Sequence, residues 1–393
     1  MYLKTLSLRH FRNYEEQQVE FVAPKTILVG DNAQGKSNLL ESVELLATLR
    51  SHRAIRDREL VQEGAAIAQI NATLERELVD AELGLTLRSN GRRTVNLNGE
   101  SLRRRADFLG VMNAVQFSSL DLELVRGGPG QRRTWIDTLL TQLEPIYDAI
   151  LQQYNHVLKQ RNALLKQQRT HDPQELRQLL NQPDSSPHDF TTQLALWDSQ
   201  LATAGSRVVR RRARALERLT PIAARWHRAI SGDSETLEIC YQPNVSAAQD
   251  DPETVQQAFL DKIQQRAIAE RIQGTSLVGP HRDEIEYTIN DTPARQYGSQ
   301  GQQRTLVLAL KLAELELIET VVQEPPLLLL DDVLAELDLN RQNQLLETIQ
   351  DRFQTLITTT HLGAFGSDWL KSSQILTVKA GQIELGKGEG RNG

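Results

Sequence analysis

The sequence is poor in the residues that mark several large classes of protein. Its 393 residues include one cysteine, Cys240, so neither an intrachain disulfide nor a thiolate zinc cluster can form. Glycine and proline together number 36 (23 plus 13), about 9% of the chain against a typical ~12%. Collagen-like and low-complexity architectures therefore fall away. No run of about 18 uncharged apolar residues is present, so no membrane-spanning helix is expected. The first residues carry Lys4, Arg9, His10 and Arg12 without an apolar stretch, unlike a secretory signal. H-E-x-x-H, G-x-S-x-G and paired cysteines are all missing, which removes the metalloprotease, nucleophile-elbow and zinc readings. A soluble, cytoplasmic protein of two or three domains is expected. Cys240 reads as a small core residue.

Basic residues are outnumbered by acidic ones, 45 to 51, a net charge of −6. Their distribution says more than their sum. Eight arginines (207, 210, 211, 212, 214, 218, 225 and 228) lie between positions 203 and 230, against one acid, Glu217. A second basic run holds Arg92, Arg93 and Arg103, Arg104 and Arg105. Each run is either a solvated, ion-paired face or a phosphate-backbone contact, and either could be the one that meets nucleic acid. Only Trp226 lies near the longer run, so base stacking on single strands is not the obvious mode, and duplex or a duplex junction fits better.

Periodicity divides the chain into alternating and helical parts. Leu3, Leu6, Leu8, Phe11, Val19 and Phe21 follow strand spacing, and the run Thr26 to Val29 stops at Gly30. Leu39, Leu40, Val43, Leu46 and Leu49 then recur at helical spacing, so the order is strand, glycine loop, helix. Alternation from about 66 to 97, with Asn90-Gly91 and Asn98-Gly99 turns, predicts an antiparallel meander. Helical spacing covers about 131–168 and 191–229, separated by a polar stretch with Pro173, Pro183 and Pro187. That pattern predicts an antiparallel helical arm. Strand, helix 302–322, strand 327–330, helix 340–350 and strand 355–359 complete the chain. The expectation is an α/β domain built from both chain ends, 1–130 and 271–393, with a mostly helical arm inserted at 131–270.

Two motifs carry chemistry. Gly30-Asp31-Asn32-Ala33-Gln34-Gly35-Lys36-Ser37 fits G-x-x-x-x-G-K-[ST], which arises by chance in about 1% of chains this long. Such a loop wraps a phosphate with backbone N–H groups, Lys36 reaching the outer phosphates and Ser37 a Mg²⁺ ion. The absence of a following [NT]-K-x-D disfavours guanine. The second motif is the apolar strand Leu327 to Leu330, which ends in Asp331 and Asp332. In an open parallel sheet that end faces the ligand crevice. Asp331 suits the metal through water, and Asp332 suits the base for an attacking water. Ser299 with Gln302 reads as a helix capping box, and with Gly301 as a second phosphate-binding surface for a partner subunit's nucleotide.

A set of ordered segments resembles the bacterial RecF family, SMC-like members of the ABC ATPases. It comprises Phe11-Arg12-Asn13-Tyr14, the glycine loop, Ser51-His52-Arg53, Asp57-Arg58-Glu59-Leu60 and Gly128-Pro129. Gly279-Pro280-His281-Arg282-Asp283, Gly298 to Arg304, Leu330 to Asp338 and Thr360-His361 continue it. The resemblance implies an ABC-type P-loop ATPase head. It implies that Ser299, Gly301 and Gln302 contact the γ-phosphate held by a second subunit, that Gln116 senses Mg²⁺ and water, that Asp338 crosses the dimer interface, and that His361 bonds the γ-phosphate. It further implies an ATP-dependent homodimer that clamps gapped or junction DNA, and weak, DNA-stimulated ATP hydrolysis. RecR and RecO are the implied partners in helping RecA load. Most ABC ATPases carry Glu where this chain has Asp332. The shorter side chain withdraws the carboxylate by about 1.5 Å, which predicts slow hydrolysis. Two other readings stay open: a nucleotide-gated scaffold with little DNA affinity, and a transporter ATPase subunit.

Overall fold

The computed structural model describes residues 1–54, 56–77, 79–167, 188–336, 339–349 and 352–385. Two six-stranded sheets organise the head. The first is antiparallel and runs Tyr14–Glu20, Tyr2–Phe11, Ile67–Glu75, Ala81–Arg88, Arg93–Leu97, Glu100–Ser101. It is the expected meander, with the N-terminal hairpin added to its edge. In the second, Ser373–Lys379, Lys25–Val29, Thr355–Thr359, Leu327–Asp331 and Ala114–Ser118 are parallel neighbours, and Gln382–Leu385 adds an antiparallel edge.

The uniformly apolar strands lie centrally in the parallel sheet because both of its faces are covered. Leu327 to Leu330 are fully buried and divide by alternation between two cores. Leu327 and Leu329, with Leu28 and Leu356, face the helix Lys36–Thr48 and the antiparallel sheet. Leu328 and Leu330, with Ile27 and Ile357, face the helices Gln300–Val322 and Leu339–Ile349. Each such leucine contributes roughly 1.5–3 kcal/mol by leaving water.

The middle of the chain is helical as expected, with differences. The stretch predicted as one helix over 131–168 is two, Pro129–Leu143 and Ile146–Gln167, interrupted at Glu144-Pro145, where proline removes a ladder donor. His188–Ser231 packs against Ile146–Gln167, and a further helix, Pro252–Gln273, packs on it as well. Pro173, Pro183 and Pro187 lie outside the described residues. His188–Ser231 also lies along Gln300–Val322, so the arm's root and the head share one core. A small sheet pairs Leu237–Gln242 with Glu284–Ile289, and thus spans position 270. Cys240 is not in the core: with Glu238 and Gln242 it occupies the exposed alternation of its strand.

Candidate nucleotide site and arginine clusters

The glycine loop is held in shape from below. Gly35 has φ +121°, and a Cβ there would sit 2.8 Å from the Asn13 amide, so only glycine fits. A Cβ on Gly30 would lie 2.3 Å from the Val378 carbonyl oxygen. Asn13 Nδ2 donates to the Gln34 carbonyl at 2.9 Å, and Tyr14 Oη donates to the Gly35 carbonyl at 2.9 Å. The hairpin turn Phe11 to Tyr14 is therefore the cradle of the loop. Its Arg12 grips the buried Glu41 in a bidentate pair from Nε and Nη2, 2.8 and 2.7 Å, and Ser51 donates to the same carboxylate at 2.5 Å. Sequence reasoning had marked Arg12 and Ser51 by resemblance without their partner, Glu41.

Asp31, Asn32 and Ala33 form the exposed crest of the loop, while Lys36 turns back. Its Nζ donates to the carbonyls of Gly30 and Asp31 at 2.7 and 2.9 Å. Ser37 Oγ donates to Asp331 Oδ1 at 2.7 Å, and Thr358 Oγ1 donates to the same oxygen at 2.8 Å. The strand Thr355–Thr359 lies between those carrying the loop and the carboxylates, so the site spans three strand ends. Asp332 has φ +58°, a region Asp tolerates better than most residues, and its N–H donates to Thr358 Oγ1 at 2.9 Å. His361 is exposed just beyond that strand, its Nδ1 3.0 Å from Thr360 Oγ1. The Gly30 N–H donates to the Thr359 carbonyl at 3.3 Å, which ties the strand end to the loop.

Gln116 shares its sheet face with Asp331, since Ala114–Ser118 pairs in register with Leu327–Asp331 and both residues are of the same alternation. Its amide does not reach that carboxylate. Gln116 Nε2 lies 3.2 Å from His52 Nε2, and His52 Nδ1 lies 2.7 Å from Glu44 Oε2. Gln116 Oε1 is buried without a partner. Burial pulls the His52 pKa down, but its hydrogen bond to Glu44 and the nearby carboxylate charges outweigh this, so the net direction is up. These groups line a cavity of about 390 Å³ beside Trp135 and Lys311.

Ser299 caps the helix Gln300–Val322: its Oγ accepts from the Gln302 N–H at 3.2 Å, and its N–H donates to Gln302 Oε1 at 2.8 Å. Gly301 lies in the first turn. Among the described residues no hydrogen bond or ion pair joins Ser299, Gly301 or Gln302 to the glycine loop, Asp331 or Asp332. Asp338 lies outside the described residues.

The arginine runs differ from their sequence appearance. Arg210 and Arg214 both pair with Asp250, at 2.5 and 2.6 Å, and Arg211 pairs with Glu144 at 3.0 Å. Arg212 is buried between Asp137 and Asp283. Arg105 lies 3.5 Å from Asp148, and its desolvation lowers its pKa. Arg103, Arg104 and Arg207 are exposed. The long run is thus largely an ion-paired seam whose acids come from other parts of the chain. Gly279 to Asp283 belong to the same seam. Asp283 accepts from Arg212, Tyr241 Oη and the Asn244 N–H, and His281 Nδ1 lies 2.6 Å from Tyr154 Oη.

A phosphate-type loop, a serine hydroxyl on a strand-end carboxylate and an antiparallel sheet folded onto the parallel one define a P-loop ATPase head of the ABC and SMC class. The fold agrees with the Smc head domain from Pyrococcus furiosus, at TM-score 0.51 and 15% identity over 98% of this chain and 95% of that one. Residues 2–381 match the RecF/RecN/SMC N terminal domain family. The chain is 72% identical over 383 residues to the DNA replication and repair protein RecF of Nostoc punctiforme, covering 98% of this chain and 99% of the relative. It is 69% identical, again over 383 residues, to the RecF protein of Gloeothece citriformis, covering 98% and 99% of the two chains. A solved structure of the recombination mediator protein RecF-ATP in the RecFOR pathway has TM-score 0.85 and 30% identity, covering 98% of this chain and 97% of that one. The chain belongs to the RecF family. Among the described residues no helix is long and apolar enough to cross a membrane.

Proposed function

We propose that this protein is an ATP-switched DNA-binding protein of replication and recombinational repair. ATP with Mg²⁺ closes two heads into a homodimer that clamps gapped or junction DNA, and hydrolysis reopens it. The observation that carries the reading is the junction of Ser37, Asp331 and Thr358 beside a loop whose glycines no other residue could replace. The relatives' names, and the ATP carried by a solved relative, support it. The donors at hand, a hydroxyl, carboxylates and the unpartnered Gln116 amide oxygen, are the hard oxygen ligands that suit Mg²⁺. Bound Mg²⁺ would neutralise charge on the phosphates.

Lys36 would exchange the carbonyls of Gly30 and Asp31 for phosphate oxygens. Asp332 would take the proton of the attacking water, with His361 at the neighbouring strand end, and its short side chain would keep turnover slow. Ser299, Gly301 and Gln302, with Asp338, would serve the nucleotide of the opposite subunit, which agrees with their separation from the loop in a single chain. Residues 1–130 and 271–393 form the head in this reading, and 131–270 the arm that closes with it. Exposed Arg103, Arg104 and Arg207 would meet phosphates, whereas Arg105, Arg210, Arg211 and Arg214 serve mainly as ion-pair partners. RecO and RecR are the proposed partners, with RecA loading downstream in the cytoplasm.

The test is binding to a gapped duplex across a salt series with ATP, with ADP, and with Lys36→Ala. Binding that needs ATP and Lys36 and weakens steeply with salt supports the switch. Equal binding in all three states refutes it, and no binding at all transfers support to the scaffold reading.

A further inference from the structure

The threonines of the strand Thr355–Thr359 satisfy their hydroxyls in two different ways. Thr355 Oγ1 donates to the Phe353 carbonyl at 3.0 Å and Thr359 Oγ1 to the His361 carbonyl at 2.8 Å, so each bonds backbone two residues away. Thr358, 2% exposed, bonds across the sheet. Its register partner in the parallel ladder is Asp331, which puts the two side chains on one face. The Asp332 N–H can only donate, and it meets Thr358 Oγ1 at 2.9 Å. The hydroxyl is the acceptor there, and its single proton goes to Asp331 Oδ1 at 2.8 Å.

One hydroxyl thereby fixes two consecutive residues. Asp331 takes both of its donors, Ser37 Oγ at 2.7 Å and Thr358 Oγ1, on Oδ1, and among the described residues Oδ2 takes none. The carboxylate is held by one oxygen and presents the other. Asp332 stands in the left-handed region at φ +58°, which an L-residue enters only at a cost, and the bond from its N–H anchors the backbone there. Valine at 358 would match the shape and β-branching of threonine and supply neither bond.

We infer that Thr358 is a positioning residue of the nucleotide site. Its hydroxyl turns Asp331 so that Oδ2 is the oxygen left for a Mg²⁺ ion or its bound water, and it fixes the backbone of Asp332, the proposed base. The inference rests on the nucleotide-binding role proposed for that site. It gives a reason for a hydroxyl at a buried position of a central strand, where an apolar β-branched side chain would otherwise serve.

The test compares Thr358→Val with Thr358→Ser on the full chain, by ATP turnover and by affinity for a fluorescent ATP analogue in Mg²⁺ and in EDTA. The ratio of the two affinities reads the metal's contribution separately from the loop's. In Thr358→Val, turnover is expected to fall roughly tenfold, the equivalent of about 1.4 kcal/mol. The Mg²⁺-dependent gain should fall roughly fivefold, with affinity in EDTA within about twofold of wild type. Thr358→Ser keeps the hydroxyl and loses a methyl group, and its turnover and Mg²⁺ gain should stay within about threefold of wild type. A packing role predicts the reverse order, because serine leaves a void and valine does not. If melting shows that Thr358→Val does not fold, Thr358→Cys takes its place with the same expectation, its thiol being a weak donor and a weak acceptor. Wild-type turnover or a wild-type Mg²⁺ gain without the hydroxyl, a serine variant as impaired as valine, or an equal loss in EDTA overturns the inference and leaves the nucleotide site standing. Wild-type protein that binds no ATP in either buffer overturns the site assignment, and this inference with it.

Discussion

Arg212 separates a structural arginine from a DNA-binding one. It lies in the middle of the basic run, yet it is 3% exposed. Its guanidinium donates to both oxygens of Asp137 at 2.9 Å, to Asp283 Oδ2 at 3.0 Å and to the Pro280 carbonyl at 2.7 Å. Those carboxylates are themselves buried, and Tyr147 and Tyr241 donate to them, each at 2.5 Å. Arg212→Ala would leave two buried carboxylates facing each other without a cation. Breaking a buried pair by removing one partner costs about 3–5 kcal/mol, a large share of a typical stability of about 5–15 kcal/mol. Urea unfolding followed by circular dichroism should therefore show the midpoint falling steeply, whereas Arg207→Ala, an exposed position, should stay within about 0.5 kcal/mol. Replacing the group together, Arg212→Met with Asp137→Asn and Asp283→Asn, should recover most of the loss, because what destabilises is the uncompensated charge. A loss below about 1 kcal/mol in Arg212→Ala, with a marked fall in DNA affinity, would refute the reasoning and return Arg212 to the DNA surface.

Four further outcomes are expected. Gly35→Ala should abolish ATP binding and lower the melting temperature, because a Cβ meets Asn13 and the backbone leaves its glycine region. Single Arg103→Ala and Arg104→Ala variants should each reduce the slope of log affinity against log salt for DNA by about one, and Arg210→Ala should not. His281 has its pKa lowered to about 4, first by burial and then by nearby Arg282, Arg133 and Arg161 against a raising hydrogen bond to the Ser276 carbonyl. Its folded value lies below its unfolded one near 6.5, so its contribution is complete above that pH and is lost as pH falls toward 4, by about 3 kcal/mol at most. The difference in stability between wild type and His281→Asn should shrink over that window, and a constant difference would contradict the assignment. Asp332→Glu should raise ATP turnover, because the added methylene returns the carboxylate toward the attacking water, and an unchanged rate would contradict the attribution of slow hydrolysis to the short side chain.

What could be read from the sequence was local. The glycine loop, the apolar strand with two carboxylates and the meander each state their chemistry within a few residues, and each lies where spacing put it. The order of the parallel sheet was not legible: Thr355–Thr359 lies between the loop strand and the carboxylate strand, and only Ser37 meeting Asp331 across 294 positions makes them one site. The helix Pro252–Gln273 escaped because its buried apolar residues, Val255, Phe259 and Ile263, form a single narrow stripe among polar side chains. Cys240 was misplaced because cysteine as a residue type is usually buried, whereas this one falls on the exposed alternation of Leu237–Gln242. The arginine run reads differently once folded. Charge counted along a chain ignores what folding brings beside it, and here Glu144, Asp250, Asp137 and Asp283 arrive from separate elements. The same logic applies to Gln116: the family resemblance implied a metal for it, but the neighbour its amide meets, His52, stands 64 positions earlier. A candidate ligand read from a motif therefore names the atom available, and only the partner found by folding says which way that atom faces.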